Sequence, residues 1–263
     1  MVLFVSDMHF GRRGMRSEDR TAEADLLRCL EAFDDRLEHL YLVGDVFDAF
    51  IEYDRVVPKG FVRFQGHIAA LTDRGIPVTY LLGNHDPWHR RYFEEELGVT
   101  VVPDACSSTH YDHRLYCAHG DHLAGAAGGF TTRFRSFLRH PVCVTLYRTL
   151  LPANTGIALA QWVSRQIHDP STNPDLVEAL SRRGAALLRD GRADVVVMGH
   201  SHVPTLQTER RGVYLNTGTW FADRTFATLT PTEARLMRWN GTRAEIIESA
   251  DLQNQTVAAG RSN

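Results

Sequence analysis

Apolar positions along the chain fall into two kinds of run. Short unbroken runs read as buried strands: Met1–Ser6, Leu37–Val43, Val78–Leu82, Val99–Val102, Arg114–Ala118 and Asp194–Met198. Val213–Asn216, Phe226–Leu229 and Arg235–Trp239 read as antiparallel strands near the C-terminal end. Two longer stretches carry helical period. Thr21–Phe33 places Ala24, Leu27, Cys29–Leu30 and Phe33 together, and Gly60–Arg74 places Phe61, Phe64, Ile68 and Leu71 on one face. Strands alternating with helices in this way predict an α/β domain.

Between Leu123 and Arg189 the strand signal disappears. Phe134, Phe137 and Leu138 repeat at helical spacing, as do Cys143, Leu146, Tyr147, Leu150 and Leu151, and then Leu159, Trp162, Val163 and Ile167. Pro152–Gly156 breaks the stretch. The pattern predicts a helical insertion over residues 123–190 within one domain spanning 1–250. Its apolar faces either pack on the domain core or form a lid or groove for an apolar ligand. Residues 251–263 are polar and read as a frayed tail.

Composition narrows the function classes. A chain of 263 residues that is 43% hydrophobic and 23% charged is neither disordered nor fibrous. A net charge of −3 argues against nucleic-acid binding by bulk positive charge. Cys29, Cys106, Cys117 and Cys143 form no Cys-x-x-Cys pair, so they read as reduced residues of a cytoplasmic protein rather than a thiolate zinc site. Met1–Ser6 lacks the basic flank of a secretion signal. The most apolar stretch, Val142–Val163, is interrupted by Arg148, Pro152, Asn154 and Gly156, which argues against a membrane span.

The candidate chemistry sits in loops that directly follow the strand runs. These loops hold Asp7-Met8-His9, Gly44-Asp45-Val46-Phe47-Asp48, Gly83-Asn84-His85-Asp86, His119-Gly120-Asp121 and Gly199-His200-Ser201-His202. Each alone could be a turn or a satisfied polar residue. Together they place carboxylates, an amide oxygen and several imidazoles at strand C-termini, where α/β sheets bind ligands. That donor mixture suits Mn²⁺, Fe²⁺ or Zn²⁺ and is not an all-oxygen calcium cage. It is large enough for two ions sharing a carboxylate.

The ordered set of five motifs, with Asn216-Thr217-Gly218-Thr219-Trp220 after it, resembles the calcineurin-like metallophosphoesterase superfamily. The resemblance implies two central β-sheets flanked by helices in four layers, with a helical cap inserted, and two divalent ions, Mn²⁺ foremost. It implies that Asp7, His9 and His202 bind one ion and Asn84, His119 and His200 the other, with Asp45 between them. It assigns catalysis to His85, facing the substrate phosphate, with Asp48 and Asp86 behind it and Asp86 orienting His85. A water activated by the metals would then attack phosphorus.

The length and position of the insertion resemble the UDP-2,3-diacylglucosamine pyrophosphatase branch of that superfamily. Members cleave a UDP-lipid to lipid 1-phosphate and UMP in lipid A synthesis, at the cytoplasmic face of the inner membrane. By this resemblance Phe130, Arg133, Phe134, Phe137, Ser164 and Arg165 would contact substrate. The chain departs from the branch at His85, where members carry Arg, and at Ala127 and Phe130, where they carry Asp and Tyr. Another phosphodiester or pyrophosphate is the alternative substrate, and a non-catalytic metal-binding scaffold is the alternative function.

Overall fold

The protein is described by a computed structural model over residues 1–12, 17–124, 140–167 and 173–253. The strands are β1 (Val2–Val5), β2 (His39–Val43), β3 (Val78–Leu81), β4 (Thr100–Val102), β5 (Ala105–His110), β6 (His113–Ala118), β7 (Val195–Met198), β8 (Thr205–Glu209), β9 (Gly212–Asn216), β10 (Thr225–Leu229), β11 (Glu233–Trp239) and β12 (Ala244–Asp251). The helices are α1 (Ser17–Glu31), α2 (Val62–Asp73), α3 (Tyr92–Glu95), α4 (Pro141–Leu150), α5 (Ala153–Ile167), α6 (Pro174–Arg189) and α7 (Trp220–Asp223).

The strands form a seven-stranded sheet of order β12-β11-β10-β1-β2-β3-β4 and a five-stranded sheet of order β5-β6-β7-β9-β8. Strands β1 to β4 are mutually parallel, as are β6, β7 and β9. Antiparallel strands complete both sheets.

Side-chain alternation explains the layering. Leu3, Val5, Leu40 and Leu42 face outward and pack on Ala22, Leu26 and Leu30 of α1 and on Phe64, Ile68 and Leu71 of α2. Their neighbours Val2, Phe4, Tyr41 and Val43 face the other way, against Leu115, Cys117, Val195, Val197 and Leu215 of the second sheet. The outer face of that sheet, with Val196, Met198 and Tyr214, packs on Leu180, Leu187 and Leu188 of α6. A strand buried on both faces has no polar positions, which is why these strands read as unbroken apolar runs. The result is the expected arrangement of two sheets between helix layers.

Several elements depart from the sequence reading. Strands β5, β8 and β12 are not foreseen by the pattern. They are edge strands, and β12 leaves Ile246 and Ile247 exposed, so none carries a continuous apolar run. The tail does not begin at Asp251. That residue pairs with Glu233, and Leu252 is buried; residues 254–263 lie outside the described residues. The stretch 123–190 also divides in two. Helix α6 is part of the core, whereas α4 and α5 expose Val142, Leu146, Leu150, Leu159 and Trp162.

The closest approach of α6 to its sheet is at Gly184, where a β-carbon would lie 2.2 Å from the buried Tyr214 ring. Gly184→Ala is expected to lower stability by about 1–3 kcal/mol through overpacking. A urea titration would show a lower midpoint, and an unchanged midpoint would contradict this packing.

Candidate metal centre

Strand ends from both sheets converge on one spot. β1 runs into Asp7 and His9, β2 into Asp45, β3 into Asn84 and His85, β6 into His119, and β7 into His200 and His202. Asp7 (φ 52°), His9 (45°), Asp45 (50°), His200 (67°) and His202 (58°) all adopt left-handed backbone. Each such non-glycine residue costs on the order of 1–3 kcal/mol and persists only where its surroundings enforce it. Main-chain hydrogen bonds lace the loops together here: Asp7 N donates to Gly44 O at 3.1 Å, His9 N to Asp45 O at 3.0 Å and Gly199 N to His119 O at 3.0 Å. Two glycines permit the close approach. A β-carbon on Gly44 would lie 2.4 Å from His119 Nδ1, and one on Gly83 would lie 2.0 Å from Asp45 Oδ1.

The donors form two adjoining groups. Asp7, His9 and His202 offer ligand atoms within 4.8 Å of one another, and so do Asp45, His119 and His200. His9 Nε2 lies 3.2 Å from His202 Nε2 and 3.9 Å from Asp45 Oδ2. Asn84 Oδ1 and Asp45 Oδ2 lie 3.2 Å and 3.4 Å from His119 Nε2. Asp45 therefore stands between the groups, as the resemblance implies. A further group of His9, Asp45 and His85 meets the same spacing, so His85 also stands within reach of the donors.

Residues behind the donors aim them. His119 Nδ1 donates to Val43 O at 2.8 Å, leaving Nε2 to face the centre. Ser6 donates to Asp7 Oδ2 and lies 2.6 Å from Thr217 Oγ1. Asp86 accepts from Gly83 N, Val46 N, Phe47 N and the Tyr80 hydroxyl. Asp86 thus joins the β2 and β3 loops through their backbones instead of orienting the His85 ring, because its oxygens are taken up by main-chain donors. The sequence reading missed Tyr80, Val43 and Ser6. Only the adjacency of Ser6 to Asp7 could have signalled one of them.

Electrostatics prepares the donors for cations. Burial pushes the Asp7 carboxyl up, but His202 outweighs it and holds Asp7 at about 2. Burial also opposes ionisation of Asp45, yet His119 and His85 hold it well below the usual range. Burial lowers His9 far below an ordinary histidine and His200 to about 4, so both imidazoles are neutral. Burial works against protonation of His119 too, but Asp45 raises it to about 10. His202 is raised by Asp7 against the same burial. Ionised carboxylates and neutral imidazoles are the forms that bind metal, and the protons on His119 and His202 occupy positions a cation would take. The donor set therefore fits two divalent ions.

The cap reaches this centre through α5. Ser164 is buried, and its hydroxyl lies 2.9 Å from His85 Nδ1 and donates to Asp48 O at 2.9 Å. Asp48 Oδ1 lies 3.7 Å from both His9 Nδ1 and His85 Nδ1, which places Asp48 beside His85 as expected. Burial raises the Asp48 carboxyl. Phe130, Arg133, Phe134 and Phe137 lie outside the described residues, as does the side chain of Arg165. A cleft of about 400 Å³ runs between Phe10, Phe47, Val57, Lys59 and Phe61 on the domain and Ile157, Ala158 and Gln161 on α5. Trp162 of α5 is 57% exposed.

Comparison with known proteins follows this geometry. The family described as calcineurin-like phosphoesterase matches residues 1–204. The UDP-2,3-diacylglucosamine hydrolase of Porphyromonas gingivalis is 34% identical over 164 residues, 62% of this chain and 62% of that protein. The protein of that name from Salmonella paratyphi B is 25% identical over 241 residues, 90% of this chain and 98% of the relative. Among solved structures, the phosphoesterase YfcE from E. coli aligns with a TM-score of 0.47 at 15% identity, over 95% of this chain and 98% of that one.

Because His119 carries a proton held up to about 10, metal uptake at pH 7 is expected to release at least one proton. Apparent affinity should then rise roughly tenfold per pH unit for each proton displaced. Calorimetric titrations in two buffers of different ionisation enthalpy measure this directly. Uptake without proton release would rule out His119 as a ligand.

Proposed function

We propose that this chain, which belongs to the calcineurin-like phosphoesterase family, hydrolyses the pyrophosphate bond of a UDP-linked diacylglucosamine to lipid 1-phosphate and UMP. Asp7, His9 and His202 would hold one divalent ion and Asn84, His119 and His200 the other, with Asp45 shared and Mn²⁺ the leading candidate. Bound there, the ions would supply a nucleophilic hydroxide at neutral pH and neutralise charge on the phosphate. His85 faces the phosphate and assists the leaving oxygen. The α4–α5 cap covers the acyl part of the substrate.

One observation carries this reading. The cleft is lined by Phe10 and Phe47, the chain neighbours of His9 and Asp48, so the loops that carry those residues also wall a space able to take an apolar chain. An enzyme for small, wholly polar phosphoesters has no use for that juxtaposition. The relatives named UDP-2,3-diacylglucosamine hydrolase supply the headgroup.

The cap also suggests where the enzyme meets its substrate. Val142, Leu146 and Leu150 form one stripe on α4, exposed by 57%, 52% and 71%. No helix among the described residues is long and apolar enough to cross a membrane. We infer that this stripe lies on the cytoplasmic surface of the inner membrane, with the protein peripheral to it. Sedimentation with phosphatidylglycerol-containing vesicles should pull down the wild type and release Leu146→Glu/Leu150→Glu. Equal binding by both would remove this inference.

The activity test offers UDP-2,3-diacylglucosamine to the Mn²⁺-loaded protein, with products identified by mass spectrometry. UMP and lipid 1-phosphate are expected from the wild type and not from Asp45→Asn. His85→Ala should keep its metal while turnover falls by about 10²–10⁴-fold. Cleavage of an aryl phosphodiester but not of the UDP-lipid would retain the chemistry and reject the substrate. Metal lost with His85 would make His85 a ligand.

A further inference from the structure

We propose that Ser164, carried on cap helix α5, is a positioning residue that fixes the hydrogen of His85 on Nδ1 and so presents Nε2 to the leaving oxygen of the phosphoester. The inference rests on the hydrolase reading above and deepens it. It gives the cap a part in the reaction separate from covering an acyl chain.

The argument counts hydrogens. Around His85 Nδ1 stand Ser164 Oγ at 2.9 Å, Asp48 O at 3.2 Å and Asp48 Oδ1 at 3.7 Å. The Asp48 carbonyl can only accept, and the Ser164 hydroxyl donates its single hydrogen to it at 2.9 Å. Ser164 then meets His85 only as an acceptor. Nδ1 must supply the hydrogen, because otherwise buried oxygens would face a bare ring nitrogen. A histidine whose Nδ1–H is fixed by an outer partner works through its other nitrogen. At this position the hydroxyl of a helix outside the α/β core plays that partner.

The fold explains how Ser164 arrives there. Ile157, Gln161 and Ser164 lie at i, i+4 and i+7 on one face of α5, and Ile157 and Gln161 line the cleft. The helix is tied to the loop that carries His85. Tyr147 OH donates to Gly156 O at 2.7 Å, Arg148 Nη2 donates to Trp88 O at 2.7 Å, and the Trp88 and Tyr147 rings meet at 4.7 Å. A cap docked for the substrate's apolar part thus also sets the His85 ring. In the step itself, the entering water's oxygen forms the new bond to phosphorus and the bond from phosphorus to the leaving oxygen breaks. That oxygen takes the Nε2 hydrogen of the doubly protonated His85 ring, which is left neutral with its remaining hydrogen on Nδ1, and the hydrogen lost by the water returns to Nε2 through solvent.

The test compares the wild type with Ser164→Ala and Ser164→Thr in the full chain. Two phosphodiesters are used, one with a p-nitrophenyl leaving group and one with an alkyl leaving group that needs a proton. Ser164→Ala is expected to keep its metal content and to slow the alkyl ester about ten- to a hundredfold more than the nitrophenyl ester. Ser164→Thr should restore the rate. In the Zn²⁺-loaded protein, imidazole ¹⁵N shifts, assigned by loss in His85→Gln, should show the hydrogen on Nδ1. Equal slowing of both esters, no slowing of either, or a hydrogen on Nε2 with Nδ1 bare would overturn the proposal. If the wild type cleaves neither ester, it is the choice of substrate that fails, and the ¹⁵N shifts alone then decide the role of Ser164.

Discussion

Two carboxylates, Asp7 and Asp45, are removed from water where the ends of two sheets meet, and their charge must be answered by groups equally buried. Isolated ions in such a place would be costly. The imidazoles of His202 and His119 answer them, and a cation would answer them better. Much of the local backbone follows from this need. Donors from five loops can converge only if several residues accept left-handed backbone and if Gly44 and Gly83 leave out the β-carbon that would strike His119 and Asp45. The strain is borne by the parallel strands behind, which are buried on both faces and cannot shift without exposing apolar surface.

The cap obeys a different logic. Its outward stripe of Val142, Leu146 and Leu150 gains nothing from solvent, and Arg148, which donates to Trp88 O, helps fasten the same helix to the domain. The two cap helices therefore have unlike neighbours. α5 borders the cleft and His85, and α4 leaves apolar side chains uncovered.

Strands buried on both faces were legible in the sequence because burial leaves no polar residue in the run. The edge strands β5, β8 and β12 were not, since an edge needs only half of that pattern. The candidate donors were legible from their order and from their place after strands. Their supporters were not. Tyr80 lies inside an apolar strand, and Val43 acts through its carbonyl, which any residue possesses. Asp86 was expected to hold the His85 ring, but main-chain N–H groups claim its oxygens, and nothing in the residue's identity shows which donors will reach it first.

By itself the sequence determined the class of fold, the donor types and their attachment to strand ends, because these follow from hydrophobic pattern and side-chain chemistry. Only the tertiary structure decided which candidate donors stand together. It also decided that α6 joins the core while α4 and α5 do not, and that a serine 79 residues from His85 stands against its ring. Those outcomes depend on distances between segments far apart in the chain. Such distances are set by how layers pack, and local pattern carries no record of them.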